Sequence, residues 1–412
     1  MQQRVIFHID VNSAFLSWEA VERLKEGERT DLRQIVSAVA GDVEKRHGVI
    51  LAKSIPAKKY HIVTGEPVVD ARRKCPDIVL VKPRHDIYRM YSAKFMEILR
   101  SYSDCVEQFS IDEAFVDMTG MQQLFGPPVE AAERIKNQIR DELGFTVNIG
   151  ISSNKMLAKM ASDFRKPDRV HTLFPDEIAS KMWPLPVGDL LYAGKSTVSK
   201  LNGIGIFTIG DLAKTELSVV TSHLKKHGEV LWRYANGLDD SPVEPIRADN
   251  KGYGHSTTLP FDVTDAANAH RILLSLTEKV CQRLRADAVR ADTVTVQIKY
   301  KDLTKASHQC TLPAPTNITE EIYRAACRLF DEKWDGEPVR LLGVSTKVAQ
   351  SDGGRQMSLF DHTDYEKLER LDKALDAIKG RYGAGSVRRA SLMECKKDDR
   401  QVKAEKKQDA KT

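Results

Sequence analysis

Three carboxylates in this chain are placed to do chemistry. Asp10 lies in an apolar run from Val5 to Val11, and Asp112 and Glu113 are adjacent in CVEQFSIDEAFVDMT, where two short apolar runs flank a polar centre. Neighbours on a regular strand point to opposite faces, so an adjacent pair serves one site only where that alternation breaks, as at a hairpin tip or a bulge. Hard carboxylate oxygens with no nearby His or Cys select Mg²⁺, with Mn²⁺ as the alternate ion, over zinc. Magnesium takes few protein carboxylates and completes its shell with substrate phosphates, which points to phosphoryl or nucleotidyl transfer. Spacing alone leaves a second account level with this one, since helix caps and surface charges use the same residues.

The elements that must position these acids follow from periodicity. The run Val5 to Val11 reads as a strand buried on both faces, and Ala14, Trp18, Val21 and Leu24 then recur at helical spacing as far as Gly27. Strands are expected at Ile35 to Ala40 and Val49 to Ala52, before the basic, turn-rich SIPAKKYHIVTGEP. A helix from about Ile87 to Arg100 leads into a β-hairpin with Ser110 to Glu113 near its tip. A helix near Val129 to Leu143, the strand TVNIGIS and the helical NKMLAKMASDFRK, stopped by Pro167, complete a mixed sheet with helices against it. From Phe174 to Gly237 the pattern is helical and broken by glycines. LDDSPVEPIRADNKG reads as an interdomain linker, and residues 253–348 as a second α+β domain. QMSLF, a helix near Asp364 to Gly380, a short strand, and a charged arm from Lys396 without apolar periodicity end the chain. The fold class is therefore α+β and multidomain.

Composition narrows the function classes. At 412 residues the chain is long enough for two to four domains, and 41% apolar with 29% charged residues is an ordinary globular balance. No apolar run reaches the ~18 residues of a membrane span, and MQQRVIFHIDVNSAF turns polar too soon for a signal peptide, so no membrane partner and a cytoplasmic location are expected. The six cysteines show no CxxC spacing, which argues against a disulfide framework and against zinc. Sixty-three basic against 58 acidic residues, a net +5, permit a nucleic-acid partner without diagnosing one.

The local wording is more specific. HIDVNSAFLSWEA, KSIPAKKYHI, FSIDEAFVD and GISSNKMLAKMASDFRKPD follow one another in the order and spacing of the Y-family, translesion DNA polymerases, which the chain resembles from about Arg4 to Ala349, in their bacterial DNA polymerase IV branch. The resemblance implies a right-hand polymerase. Residues 1–20 and 77–165 would be the palm, 21–76 the fingers, 168–240 a helical thumb, 241–252 a linker and 253–349 the little finger. It implies template-directed, low-fidelity lesion bypass without proofreading, from dNTPs onto primer-template DNA.

By that resemblance Asp10, Asp112 and Glu113 are the catalytic metal ligands for two Mg²⁺ ions, with the Val11 carbonyl completing one site. Phe15 matches a steric gate beneath the incoming sugar, where a ribose 2′-hydroxyl would be crowded and left without a partner. Read without the resemblance, Phe15 is ordinary core. Lys58 and Lys166 match basic positions facing the triphosphate. The chain departs from the family at Ala14, Asn12 and Ile55, where an aromatic, an Asp and a Tyr are common, and at Lys58, commonly Arg; this implies a roomier, more apolar pocket.

Gly194, Gly203, Gly205 and the adjacent Lys195 suggest helix-hairpin-helix turns that hold a DNA phosphate, although Tyr192 stands where a second hairpin glycine is usual. A P-loop is rejected, because Gly188 to Gly194 encloses five residues rather than four and no strand precedes it. Lys299 and Lys301, with Lys305, cluster at a strand end and suit a sequence-blind contact to duplex backbone. Gln356, Leu359 and Phe360 resemble a sliding-clamp-binding pentapeptide on a flexible stretch. The expected working form is a monomer. A catalytic subunit of a larger mutagenic complex, or an inactive DNA-binding scaffold, are the alternatives.

Overall fold

The computed structural model describes residues 4–42, 48–246, 248–350 and 363–392, so the expected clamp peptide and the charged arm lie outside the described residues. The described chain divides into two compact units, one ending at Ala248 and one beginning at Asp249. In chain order the first opens with β1 (Ile6–Val11), α1 (Ala14–Lys25), β2 (Ser37–Ala40), β3 (Ile50–Lys53), α2 (Ile55–Lys58), α3 (Val68–Lys74) and β4 (Val79–Val81). It continues through α4 (His85–Arg100), β5 (Val106–Gln108), β6 (Glu113–Asp117), α5 (Gln122–Phe125), α6 (Pro128–Gln138), β7 (Val147–Ser152), α7 (Lys155–Asp163) and β8 (Val170–Thr172). The helices α8 (Lys195–Asn202), α9 (Ile209–Lys214), α10 (Leu217–Leu224) and α11 (Lys226–Ala235) close it.

A five-stranded sheet in the order β5-β6-β1-β7-β8 organises the first unit, with β1 central and antiparallel to both neighbours, and β7 parallel to β8. Strand alternation splits β1 cleanly. Phe7, Ile9 and Val11 join Val147, Ile149 and Ile151 in one apolar core with Trp18 and Val21 of α1, Tyr88, Tyr91 and Phe95 of α4, and Ile135 of α6. Each such side chain contributes about 1.5–3 kcal/mol by leaving water. Ile6, His8 and Asp10 take the opposite face, which α7 covers. Gly150 of β7 allows that helix to lie flush: a Cβ there would sit 2.0 Å from the Ala158 carbonyl oxygen and 2.4 Å from the Ser162 nitrogen. Asn154 caps α7 by accepting from the Leu157 amide, and its own amide donates to the Gly237 carbonyl.

The predicted strands near residues 35–40 and 49–52 exist but do not join that sheet. They form a separate three-stranded sheet, β3-β2-β4, whose third strand was not foreseen. Two expected boundaries shift with it. A division at residue 20 would cut α1 where Trp18 and Val21 bury in one core, and a division at 76 would detach β4 from the strand it pairs with. The turn-rich stretch after β3 contains the short helix α2, capped by the Ser54 hydroxyl, which accepts from the Ala57 amide. The helices α8, α9, α10 and α11 gather Leu201, Ile209, Leu212, Val220 and Leu231 around Met156, Leu157 and Met160 of α7, so α7 serves two cores.

The expected linker begins pinned to the first unit. Val243 is buried with Ile6, Phe115 and Ala158, Lys155 Nζ donates to the Pro242 carbonyl, and the Glu244 amide donates to Glu107. A stretch whose composition reads as linker is held by one apolar anchor and backbone hydrogen bonds, neither of which periodicity reveals.

The second unit contains β9 (Gly252–Val263), α12 (Ala266–Ala286), β10 (Ala291–Tyr300), β11 (Lys305–Thr316), α13 (Thr319–Lys333), β12 (Val339–Val348) and α14 (Tyr365–Tyr382). Its antiparallel sheet, β11-β10-β12-β9, packs Val294, Val296 and Ile298 against Leu273, Val280, Ile322 and Phe330 of α12 and α13. Helix α13 starts after Ile318, which has no capping side chain; Asp372 of α14 accepts from the Thr319 amide at 2.8 Å and pairs with Arg285. Among the described residues after α14 there is a 3₁₀ turn, Ala390–Leu392, and no strand.

Candidate active site

A cavity of about 770 Å³ in the first unit is lined by Asp10, Val11, Phe15, Lys53, Ile55, Lys58, Lys59, Asp112 and Lys166 among others. Asp10 reaches it from the end of β1, and Asp112 from the turn between β5 and β6, where the Phe109 and Ser110 amides both donate to the Glu113 carbonyl. The hairpin tip therefore presents Asp112 to the cavity. The Val11 amide donates to the Asp112 carbonyl at 3.0 Å and ties the tip to β1. Ser110 donates to Asp112 Oδ1 at 2.6 Å and its hydroxyl accepts from the Asp112 amide at 3.2 Å, so the side chain is fixed by a local turn.

Glu113 lies directly across from Asp10 in the β1/β6 register, on the face that α7 covers. It does not line the cavity. Its Oε1 accepts from Lys159 at 2.9 Å, and Lys159 Nζ also lies over the Phe109 ring, 5.3 Å from its centroid. Beneath them His8 is fully buried, with Nδ1 2.8 Å from Ser162 Oγ and Nε2 3.5 Å from Lys159 Nζ. Burial, then the charges of Lys159 and Lys166, hold the His8 imidazole well below its usual range, so it is neutral. Lys166 donates to Asp10 Oδ1 at 2.9 Å and to Asp163 at 2.8 Å. Burial pushes the Asp10 carboxyl up to about 6, Lys166 opposing and the nearby Glu113 charge adding.

Sequence reasoning missed His8 and Lys159. The signal was present: His8 and Asp10 share a strand face, and Lys155 and Lys159 share a helix face, where they meet Glu107 and Glu113 at 2.6 and 2.9 Å.

Among the described residues no three His, Cys, Asp or Glu side chains close on one point to form a ready metal cage. The donors nonetheless fit magnesium. Asp10 and Asp112 bring hard carboxylate oxygens to one cavity with Val11, and an ion of this kind would draw the rest of its shell from water and substrate phosphates. Glu113, expected as a third ligand, is turned to Lys159.

Phe15, in the first turn of α1, lines the cavity and is half-buried. Its ring stacks on Tyr88 with centroids 4.7 Å apart and 17° between planes, and meets His85 edge-on at 5.8 Å. It is thus both core and wall. Lys58 ends α2 and faces the cavity, as does Ile55, 49% exposed. Asn12 donates to Thr146 Oγ1 at 3.1 Å, while its own Oδ1 is buried without a partner.

Gly194 is the N-cap of α8, where Lys195 is the first residue, and Gly203 and Gly205 form the turn toward α9. Gly205 has φ +83°, a conformation that excludes most other residues, and Tyr192 holds φ +68° where a glycine was expected. In the second unit Lys299 stands directly opposite Lys305 across β10 and β11, with Lys301 in the turn between them. Like charges in that register are destabilising unless an anion lies nearby.

Comparison with known proteins places the chain in a family. Two family models match: the impB/mucB/samB family over residues 9–163, and the impB/mucB/samB family C-terminal domain over residues 250–359. DNA polymerase IV of Clostridium acetobutylicum is 46% identical over 395 residues, covering 95% of this chain and 98% of that protein. DNA polymerase IV 2 of Bacillus subtilis is 39% identical, covering 95% of each. A solved Y-family DNA polymerase chimera shares the fold with a TM-score of 0.71 over 83% of this chain and 98% of its own, at 23% identity. With one family model matching within each unit and the relatives aligned almost end to end, the chain belongs to the impB/mucB/samB family of Y-family DNA polymerases, in its DNA polymerase IV branch.

Proposed function

We propose that this protein is a DNA-directed DNA polymerase that copies damaged templates, joining dNTPs to a primer 3′-hydroxyl with release of pyrophosphate. The observation that carries the reading is one cavity lined by the carboxylates Asp10 and Asp112, by Lys53, Lys58, Lys59 and Lys166, and by the Phe15 ring. The five-stranded sheet with α1, α4, α6 and α7 is the palm, the three-stranded sheet with α2 and α3 the fingers, α8 to α11 the thumb, and the second unit the little finger.

Asp10 and Asp112 would hold divalent magnesium, with two ions expected in the working complex. When bound it neutralises the triphosphate and makes the primer hydroxyl more acidic. Glu113, paired with Asp10 across β1 and β6 and held by Lys159, would be a further carboxylate available to the metal. Lys58 and Lys166 neutralise charge on the departing phosphates. Phe15 lies beneath the sugar and rejects a 2′-hydroxyl because the ring face offers it no hydrogen bond. The Gly194–Lys195 and Gly203–Gly205 turns hold a DNA phosphate, as do Lys299 and Lys301. The Gln356, Leu359 and Phe360 peptide docks a sliding clamp, and the protein acts as a monomer.

Primer extension on undamaged and lesion-bearing templates tests this reading. Full-length protein alone extends both with Mg²⁺, and Asp112→Ala abolishes incorporation. Extension surviving in Asp112→Ala, or none by the unaltered protein, overturns it.

A further inference from the structure

The charged groups lining the cavity do not balance within it. Arg33 is taken by Asp31, and Lys166 by Asp10 and Asp163. Lys53, Lys58 and Lys59 also line the cavity, and among the described residues none of the three has a hydrogen-bonded carboxylate. Lys53 is the least expected of them. It ends β3, where alternation turns Leu51 and Lys53 to the half-buried side while Ile50 and Ala52 go inward. The next residue, Ser54, spends its hydroxyl on the Ala57 and Ser37 amides, which fixes the turn into α2 and so the position from which Lys53 projects.

Burial, then the nearby charge of Lys58, lowers the Lys53 ammonium from its ordinary range, with Lys74 adding to the effect. Glu66, which attracts it, is itself ion-paired to Lys74. Lys53 and Lys58 repel one another, with Lys59 lining the same cavity, and ammonium groups without carboxylate partners are costly unless an anion occupies the cavity. Ile55, on the same wall, offers that anion only an apolar side chain.

We propose that Lys53 is a third ammonium contact for the triphosphate of the incoming nucleotide, alongside Lys58 and Lys166. This rests on the polymerase reading above. Lys166 is held at Asp10, whereas Lys53, Lys58 and Lys59 line the same cavity without a hydrogen-bonded carboxylate among the described residues. A polyphosphate with several negative charges satisfies all three lysines, whereas a single backbone phosphate does not.

The test is steady-state primer extension by the full-length protein with varied dNTP, together with inhibition by inorganic tripolyphosphate, which carries the phosphates without base or sugar. Lys53→Met should raise KM for dNTP and Ki for tripolyphosphate together, about five- to twentyfold, which corresponds to losing one charge-assisted contact. The dissociation constant for primer-template should stay within twofold, and Lys53→Arg should recover most of the loss. If Lys53→Met leaves both constants unchanged while Lys58→Met raises them, the proposal fails and the pocket reading stands. If neither variant nor Lys166→Met moves them, the pocket reading itself fails. Weaker primer-template binding with unchanged KM for dNTP assigns Lys53 to template phosphates and overturns the proposal.

Discussion

Replacing Gly150 by alanine should damage both stability and catalysis, because this glycine lets α7 lie on the central sheet. The added Cβ would stand 2.0 Å from the Ala158 carbonyl oxygen and 2.4 Å from the Ser162 nitrogen, against an ordinary carbon–oxygen contact of about 3.3 Å. Both partners are backbone, so no rotamer change relieves the clash and the helix must retreat by roughly 1 Å. Overpacking of this kind costs about 1–3 kcal/mol, and a backbone clash belongs at the upper end. For a unit of this size, about 3 kcal/mol lowers the melting temperature by ~6–12 °C. Retreat also withdraws Lys159 from Glu113 and loosens Lys166 on Asp10, and ~1 Å of misplacement near reacting groups costs on the order of a hundredfold in rate. Thermal melts followed by circular dichroism, with single-turnover extension on the folded fraction, read the two effects separately. Gly380→Ala in α14, where a Cβ meets nothing within 4 Å, is the control and should be neutral or slightly stabilising. A Gly150→Ala protein that melts and extends like the parent would refute the flush packing of α7.

Other perturbations separate the roles of individual groups. Phe15→Ala should admit ribonucleotides, with dNTP over rNTP selectivity falling at least tenfold; unchanged selectivity would leave Phe15 as core alone. Asp10→Asn should abolish metal-dependent extension yet raise the melting temperature of the metal-free protein at pH 7. The Asp10 carboxyl moves from 3.8 to about 6 on folding, so the folded state binds the extra proton between those values and stability is lost as pH rises through that window. The gain in Asp10→Asn should therefore vanish near pH 4, and an equal gain at both pH values would contradict the argument. Asp372→Ala removes the cap of α13 and one partner of buried Arg285, which should cost the second unit about 2–4 kcal/mol in chemical denaturation, with Asp372→Asn costing less.

Much of the fold was legible because its signals are local. Apolar runs marked β1 and the hairpin flanking Ser110–Glu113, the stretch TVNIGIS marked β7, Pro167 marked the stop after α7, and the glycines marked the turns of the helical layer. Two short elements escaped because they carry too little local signal. Helix α3 and strand β4 are too short to show a period, and β4 is assigned to its sheet only by pairing with β2. The anchoring of Val243 was invisible, since one valine among prolines and acids carries no pattern.

The amino-acid sequence by itself determined that Asp10 would end a buried strand and that Asp112 would sit at a break in alternation, because strand period and hairpin geometry depend on near neighbours. It also carried the order of motifs that places the chain in its family. Only the tertiary structure decided what those acids touch, Lys166 on Asp10 and Lys159 and neutral His8 by Glu113, and that three lysines without carboxylates line the same cavity. Those pairings join residues up to 156 positions apart, from Asp10 to Lys166, and depend on which helix covers which face of the sheet. The missing side chain of Gly150 permits that close cover, and its effect exists only once α7 is laid against β7.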